Sequence, residues 1–310
     1  MRHWQYPKIQ RRSDSARSQG GPWIATEKVH GAQLVIAADG QQVRFGKRKA
    51  WLHDDEPFFG WQMLRAELDA SARRIHARLG APGILRLFGE LFGGAYPDRA
   101  VPAVPGMSPV QTGIWYSPRI SFALFDILVQ AHDEDEGLFL AHDDVAGLAK
   151  PLFAVPIIGK GSRIDLDALP IRFVTHVPRE FGLPEIPDNF AEGLVLKPNQ
   201  RLPATARLVV KRKIPEFDEQ RFDESRPWDP NKSFNLDEVV ALASQLINSV
   251  RMASARSKVG DSDREAIAEE VALDILVDLE AVFPRALTSL TSDEEAILHD
   301  RVLEKIRTAI

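Results

Sequence analysis

The sequence predicts an α+β protein: an antiparallel-sheet domain followed by a small all-helical C-terminal domain. Three observations support this. Short β-branched and apolar runs, separated by connections rich in Pro and Gly, recur as far as residue 213. Past 217–232, where the chain turns charged and carries Pro227 and Pro230, the apolar residues adopt helical spacing. With 310 residues, 44% apolar and 27% charged, the chain has a globular composition and length for one large domain and one small one. A boundary near residue 230 gives domains 1–230 and 231–310.

From 23 to 47 the pattern breaks at Ala38-Asp39-Gly40 and reads as two strands joined by a turn, with Lys28 at the end of the first. Phe58, Trp61, Leu64, Leu68, Ala72, Ile75 and Leu79 recur at spacings of three and four, predicting a covering helix that ends at Gly80. Segments 84–92, 120–129, 193–196 and 207–213 are short and apolar or alternating, as strands require. The stretch 97–118 holds five prolines and reads as an ordered irregular loop. Beyond the boundary, Leu236, Val239, Val240, Leu242, Ala243, Leu246, Ile247 and Val250 describe one amphipathic helix. Two more are expected at 271–283 and 297–306, the last after a capping segment Ser292-Asp293-Glu294-Glu295.

Composition excludes several chemistries. There is no cysteine, so disulfides, thiolate zinc sites and cysteine nucleophiles are ruled out, and a reducing, cytoplasmic setting is the expectation. No apolar run approaches the roughly 18 residues that span a bilayer, and residues 1–20 lack the apolar core of a secretion signal. The net charge of −5 hides an asymmetry: residues 1–50 hold ten Lys/Arg against three Asp/Glu, while residues 231–310 hold nine against fifteen. Anionic ligands therefore remain compatible with the N-terminal part.

Five segments carry the chemistry. Glu27-Lys28-Val29-His30-Gly31 sets a lysine, a potential nucleophile, between a carboxylate and an imidazole. Phe45-Gly46-Lys47-Arg48-Lys49 is a cationic strand end. Phe88-Gly89-Glu90-Leu91-Phe92-Gly93-Gly94 isolates a carboxylate in an apolar strand, and Glu192-Gly193-Leu194-Val195-Leu196-Lys197-Pro198 brackets one with opposite charges. In Val209-Val210-Lys211-Arg212-Lys213 the two lysines, two apart, share one face of a strand. Singly, each reads most simply as a solvated strand end or a structural ion pair. Together they place charged groups among apolar strands at five points, which calls for partners or a ligand.

In that order the segments resemble the motifs of the covalent nucleotidyltransferase superfamily of polynucleotide ligases and capping enzymes. The Lys-Val-His-Gly form, with the aromatic strand Ser121-Phe122-Ala123-Leu124-Phe125-Asp126-Ile127, is most similar to the T4 RNA ligase 2-like branch, which includes the kinetoplastid RNA-editing ligases. The resemblance covers residues 4–220. It implies an ATP-grasp-like nucleotidyltransferase domain and an ATP-dependent RNA ligase that joins 3′-OH and 5′-phosphate ends through a lysyl-AMP on Lys28 and an adenylylated strand, with nicks in RNA-containing duplexes as substrate.

By the same resemblance, Lys197, Lys211 and Lys213 contact phosphates, and Arg48 grips the nucleotide. Glu27 and His30 flank the nucleophile in the nucleotide site, Phe122 stacks on adenine and Val195 covers its other face. Glu90 and Glu192 hold Mg²⁺ or Mn²⁺ through water, and Glu90 also suits the ribose. Implied partners are ATP and RNA or RNA/DNA duplex ends, with no membrane and a monomeric chain. Gln33 departs from the branch, which has Asn there. A DNA ligase, a GTP-using capping enzyme, or an inert RNA-end-binding protein are the alternatives.

Overall fold

The segment 23–47 folds as three strands, because the chain breaks at Lys28–Gly31 as well as at the turn after Ala38. In the computed structural model, which describes residues 1–9, 20–218 and 232–310, these are β1 (Trp23–Glu27), β2 (Ala32–Ala38) and β3 (Val43–Lys47). The expected boundary near residue 230, and part of the polar N-terminal stretch, lie outside the described residues. The first break sends β1 and β2 into different sheets. It depends on Gly31, where a Cβ would lie 1.9 Å from the Leu91 carbonyl oxygen, so only glycine lets the backbones pass.

The remaining strands are β4 (Ala50–Trp51), β5 (Ile84–Ala95), β6 (Ser117–Gln130), β7 (Leu138–Phe139), β8 (Phe153–Ala154), β9 (Ile157–Gly161), β10 (Gly193–Pro198) and β11 (Val210–Lys213). One sheet has the order β11-β10-β1-β9, all antiparallel. The other runs β4-β3-β2-β5-β6-β7, antiparallel, with β8 added parallel to β6.

Register decides which side chains can meet, since directly paired residues share a face. In the smaller sheet Ile24 pairs with Lys197, Thr26 with Val195, Val195 with Lys211 and Gly193 with Lys213. Val195, Lys197, Lys211 and Lys213 therefore line one face. The opposite face is apolar: Trp23, Ala25, Leu194, Leu196 and Val210 form a core with Leu166. In the larger sheet Gln33, Glu90 and Ala123 stand in one row, while Ala32, Leu91 and Phe122 stand in the next and face the other way. The β5–β6 register then slips between Phe88 and Gly89, leaving Phe125 as an extra residue on β6.

The expected covering helix is a 3₁₀ turn, Trp61–Leu64, leading into α1 (Arg65–Arg78). Short helices follow at α2 (His142–Ala149), α3 (Arg163–Asp167), α4 (Val177–Glu180) and α5 (Pro215–Asp218). The C-terminal region is helical: α6 (Leu236–Gln245), α7 (Ser249–Val259), α8 (Arg264–Val282), α9 (Pro284–Thr288) and α10 (Ser292–Ala309). The single helix expected from 236 to 250 is two, because the Asn248 side chain accepts from Val250 N and Arg251 N and starts α7 there. The cap of α10 is Thr291, reciprocal with Glu294, one residue ahead of the expected segment.

Two compact units result. The first holds Met1–Leu52, Ser71–Pro102 and the chain from Pro109 through β11, and so contains both sheets. The second gathers α6–α10 with His53–Ala70 and Ala103–Ser108. Its core of Val239, Leu242, Val271, Ile275, Leu279 and Val302 also packs Met63, Val104 and Met107. Part of the 97–118 loop thus belongs to the helical core. Among the described residues no helix is long and apolar enough to cross a membrane.

Candidate active site

Lys28 is the first residue beyond β1, where strand pairing ends and a long side chain can leave the sheet. Its backbone N donates to Gly193 O at 2.9 Å, which ties the position of Lys28 to the start of β10. Gly193 is glycine by necessity: φ is +145°, and a Cβ would sit 2.0 Å from Arg212 O. The residue before it, Glu192, is 1% exposed and is shared by two cations. Lys28 Nζ lies 2.6 Å from its Oε2 and Lys213 Nζ 2.6 Å from its Oε1, with His30 Nδ1 at 3.5 Å from Oε2.

This sharing sets the electrostatics. Burial alone would lower the Lys28 pKa, but Glu192 and then Glu90 outweigh it and hold the ammonium above its ordinary value. Burial alone would raise Glu192, yet the charge of Lys28, the His30 ring and Lys213 keep it well below the usual carboxylate range. Glu90 goes the other way. Burial, only partly offset by Lys28 and reinforced by repulsion from Glu192, pushes it up to about 7, while Gly31 N donates to it and Arg48 adds a favourable charge.

Sequence and geometry agree on some residues and part on others. Lys28, His30, Glu90, Glu192 and Lys213 come together. Arg48, exposed in the turn between β3 and β4, is near enough to act on Glu90. Val195 and Lys211 stand opposite one another on the face that carries Lys213, and Gln33 pairs with Glu90 across β2 and β5. Arg212 points to the opposite face and donates to the carbonyls of Leu166, Asp167 and Leu169 around the end of α3.

Three of the expected residues are not delivered to the cluster by their side chains. Glu27 turns away from Lys28, as alternation along β1 requires; its carboxylate accepts from Thr175 Oγ1 and His176 N. Phe122 shares the row of Leu91, on the face away from Glu90, and its ring fills the space that Gly89 leaves by having no side chain. The half-buried Phe125, at the bulge, is the ring turned toward the face of Glu90. Lys197 lies on the right face, but its Nζ is engaged by Phe125 O at 2.5 Å and Asp126 Oδ1 at 2.8 Å and is sealed from solvent.

Glu90 and Glu192 fit a divalent cation by chemistry: hard oxygen donors beside a cationic pocket suit Mg²⁺ or Mn²⁺ held through water and substrate phosphates. Among the described residues no group of three or more His, Asp or Glu side chains forms a cage of its own. With Lys28, Lys211, Lys213 and Arg48 set against the two carboxylates Glu90 and Glu192, the site's balance is positive. It suits a polyphosphate.

The RNA ligase family model matches residues 21–213, more than half of the chain and all the strands of both sheets. The chain belongs to the RNA ligase family. The mitochondrial RNA-editing ligase 2 of Trypanosoma brucei brucei is 33% identical over 201 residues, covering 56% of this chain and 48% of that protein. Mitochondrial RNA-editing ligase 1 of the same organism is 29% identical over 208 residues, covering 56% and 44%. The matched part is thus about half the length of these relatives. Naegleria gruberi RNA ligase, solved in mutant form with ATP and Mn, overlaps 70% of this chain and 58% of its own at 15% identity, with a TM-score of 0.45.

Within this member of the RNA ligase family, sequence reading passed over a second charged group. Asp126, on β6, accepts from Arg207 Nη2 at 2.5 Å, Arg207 Nη1 at 3.0 Å, Lys197 Nζ at 2.8 Å and Tyr6 Oη at 2.5 Å. Burial alone would raise Asp126, but Arg207 and Lys197 hold it far below the carboxylate range. Burial lowers Lys197 to about 8, against a smaller opposing pull from Asp126. Tyr116, from the irregular loop, accepts from His30 N at 2.9 Å. The signal for Asp126 was legible, an acid in the apolar run 120–129; its partners, from residues 6, 197 and 207, were not.

Proposed function

We propose that this protein is an ATP-dependent RNA ligase that seals 3′-OH/5′-phosphate ends, with nicks in RNA-containing duplexes as its substrate. The carrying observation is the buried Glu192 shared by Lys28 and Lys213. It places an otherwise solvated lysine at a fixed point amid cations that suit a triphosphate. The neutral Lys28 amine attacks the α-phosphorus of ATP; the new N–P bond forms as the bond to pyrophosphate breaks, and the amine sheds a proton. AMP then passes from Lys28 to a strand's 5′-phosphate, and a 3′-hydroxyl displaces it to form the phosphodiester.

The resting site holds Lys28 as an ammonium, so the amine must lose a proton first, and lysyl-AMP formation is expected to quicken as pH rises. A divalent cation held by Glu90 and Glu192 through water would favour the neutral amine. Lys211 and Lys213 offset the charge that develops on pyrophosphate. Phe125, turned to the Glu90 side, is read as the ring against the base in place of Phe122. Membership of the family over 21–213, and a positive pocket with one anchored lysine, support this reading.

The test uses nicked duplexes with a labelled 5′-phosphate, varying the strand that bears the 3′-OH between RNA and DNA and the nucleotide between ATP and GTP. Sealing is expected with RNA and ATP. Equal sealing of all-DNA nicks, or a preference for GTP, would overturn the RNA or the ATP assignment respectively.

A further inference from the structure

In the segment 27–31, which carries the nucleophile, only Glu27 belongs to a sheet, as the last residue of β1, so something other than strand pairing must hold the rest. On one side its backbone is tied by Glu27 N to Pro156 O at 2.8 Å and Lys28 N to Gly193 O at 2.9 Å. On the other, two side chains reach it from outside every motif discussed so far. Thr175 Oγ1 donates to the Glu27 carboxylate, which also accepts from His176 N at 2.9 Å. Tyr116 Oη accepts from His30 N at 2.9 Å.

These two grips form one frame. Asn189 Oδ1 accepts from Trp115 N at 2.9 Å and its Nδ2 donates to Trp115 O at 2.7 Å, while Asn189 O accepts from Thr175 N at 2.9 Å. Residues 115–116, 175–176 and 189 are thus stitched together and close on the segment at its first and fourth residues. Thr175, Asn189 and Tyr116 are all buried, as such a frame requires.

We propose that Thr175 and Tyr116 are positioning residues for Lys28: they clamp the 27–31 segment, and Thr175 acts by keeping Glu27 in the ionised form that accepts both of its hydrogen bonds. The inference rests on the ligase reading above. Both groups facing the Glu27 carboxylate are donors, a hydroxyl and a backbone N–H. A protonated Glu27 would turn one of its oxygens into a donor and lose a grip.

Glu27 is 1% exposed and its burial pushes it up to about 7, an effect that the Thr175 hydrogen bond and then the His176 N–H partly offset. The other ionisable groups around it are the Tyr116 phenol, raised by burial and then by Glu27 itself, and His176, whose ring lies edge-on to Phe173. Lys28, its neighbour in sequence, is paired with Glu192 instead.

The experiment measures single-turnover labelling of the full chain by α-labelled ATP with Mg²⁺, from acid to alkaline pH, for wild type, Thr175→Val, Thr175→Ser, Tyr116→Phe and Glu27→Gln. Removing the Thr175 hydroxyl withdraws a group that lowers the Glu27 pKa. The acid limb of the Thr175→Val profile should therefore move to higher pH, with labelling at neutral pH slower by roughly ten- to a hundredfold and the KM for ATP little changed. Thr175→Ser should restore the wild-type limb. Tyr116→Phe should slow labelling by a similar factor at all pH values without moving the limb.

A Thr175→Val limb that superimposes on wild type overturns the proposal, as does a Tyr116→Phe rate equal to wild type. Should Thr175→Val not fold, Glu27→Gln, which cannot titrate, decides: its profile should lose the steep part of the acid limb, and a wild-type limb overturns the proposal. Wild type that takes no label at all defeats the ligase reading instead.

Discussion

Two buried clusters in the sheet-bearing unit have the same stoichiometry, one carboxylate shared by two cations, and opposite relations to solvent. Glu192 is 1% exposed, but Lys28 and Lys213 keep 20% and 21% of their side chains open. Around Asp126, also 1% exposed, Lys197 and Arg207 are closed to 2% and 3%. The first set can exchange partners with an incoming anion; the second is enclosed, with Arg207 bidentate on the acid and stacked over Phe139. One arrangement of charges leaves its cations partly open to solvent in the first case and seals them into the structure in the second.

The largest expected break of this comparison is Lys28→Ala. It should reduce labelling by ATP to background while leaving the melting temperature near the wild-type value, since Lys213 remains on Glu192. A large loss of stability would mean that the first cluster is structural too. Next is Asp126→Ala, which strands two cations in an enclosed site and should cost roughly 3–5 kcal/mol in denaturant unfolding. Glu192→Gln should cost less stability than Asp126→Ala, because its two cations can turn to water; equal costs would erase the distinction.

The two phenylalanines separate in the same way. Phe122→Ala, buried against Gly89, should lower stability by roughly 3–5 kcal/mol. Phe125→Ala should instead act on nucleotide binding, raising the KM for ATP by about tenfold at a smaller cost in stability. The reverse pattern would return the stacking role to Phe122.

The smallest effect is on stability against pH, and its sign differs between the groups. The folded pKa of Asp126 is depressed, so its contribution is present above the unfolded value of 3.8 and is lost only in acid. Glu27 and Glu90 are raised from 4.5 to about 7, so theirs is present below 4.5 and is lost as pH climbs to 7. Unfolding free energies measured through that interval should fall with pH in wild type and fall less steeply in Glu27→Gln, where only Glu90 still titrates there.

Sequence reading was strongest where a single strand carries its own evidence. The paired lysines 211 and 213, the carboxylates 90 and 192, and Lys28 at a strand end all follow from local pattern. It failed where register decides. Phe122 and Phe125 look alike in an apolar run, and only the β5–β6 slip at Phe125 settles which ring faces Glu90. Lys197 resembles Lys213 in sequence, but Asp126 and Arg207 close over it, and those contacts come from elements 71 and 10 residues away. The split of the first C-terminal helix turned on one side chain, Asn248, competing for the backbone.

The central claim is that Lys28 is the residue that becomes covalently adenylylated, and peptide mass spectrometry of the protein after incubation with ATP and Mg²⁺ tests it most directly. The account predicts one AMP on the peptide that carries Lys28, lost on acid treatment as a phosphoramidate should be. An unmodified Lys28 peptide, or AMP on Lys211 or Lys213 instead, would contradict it.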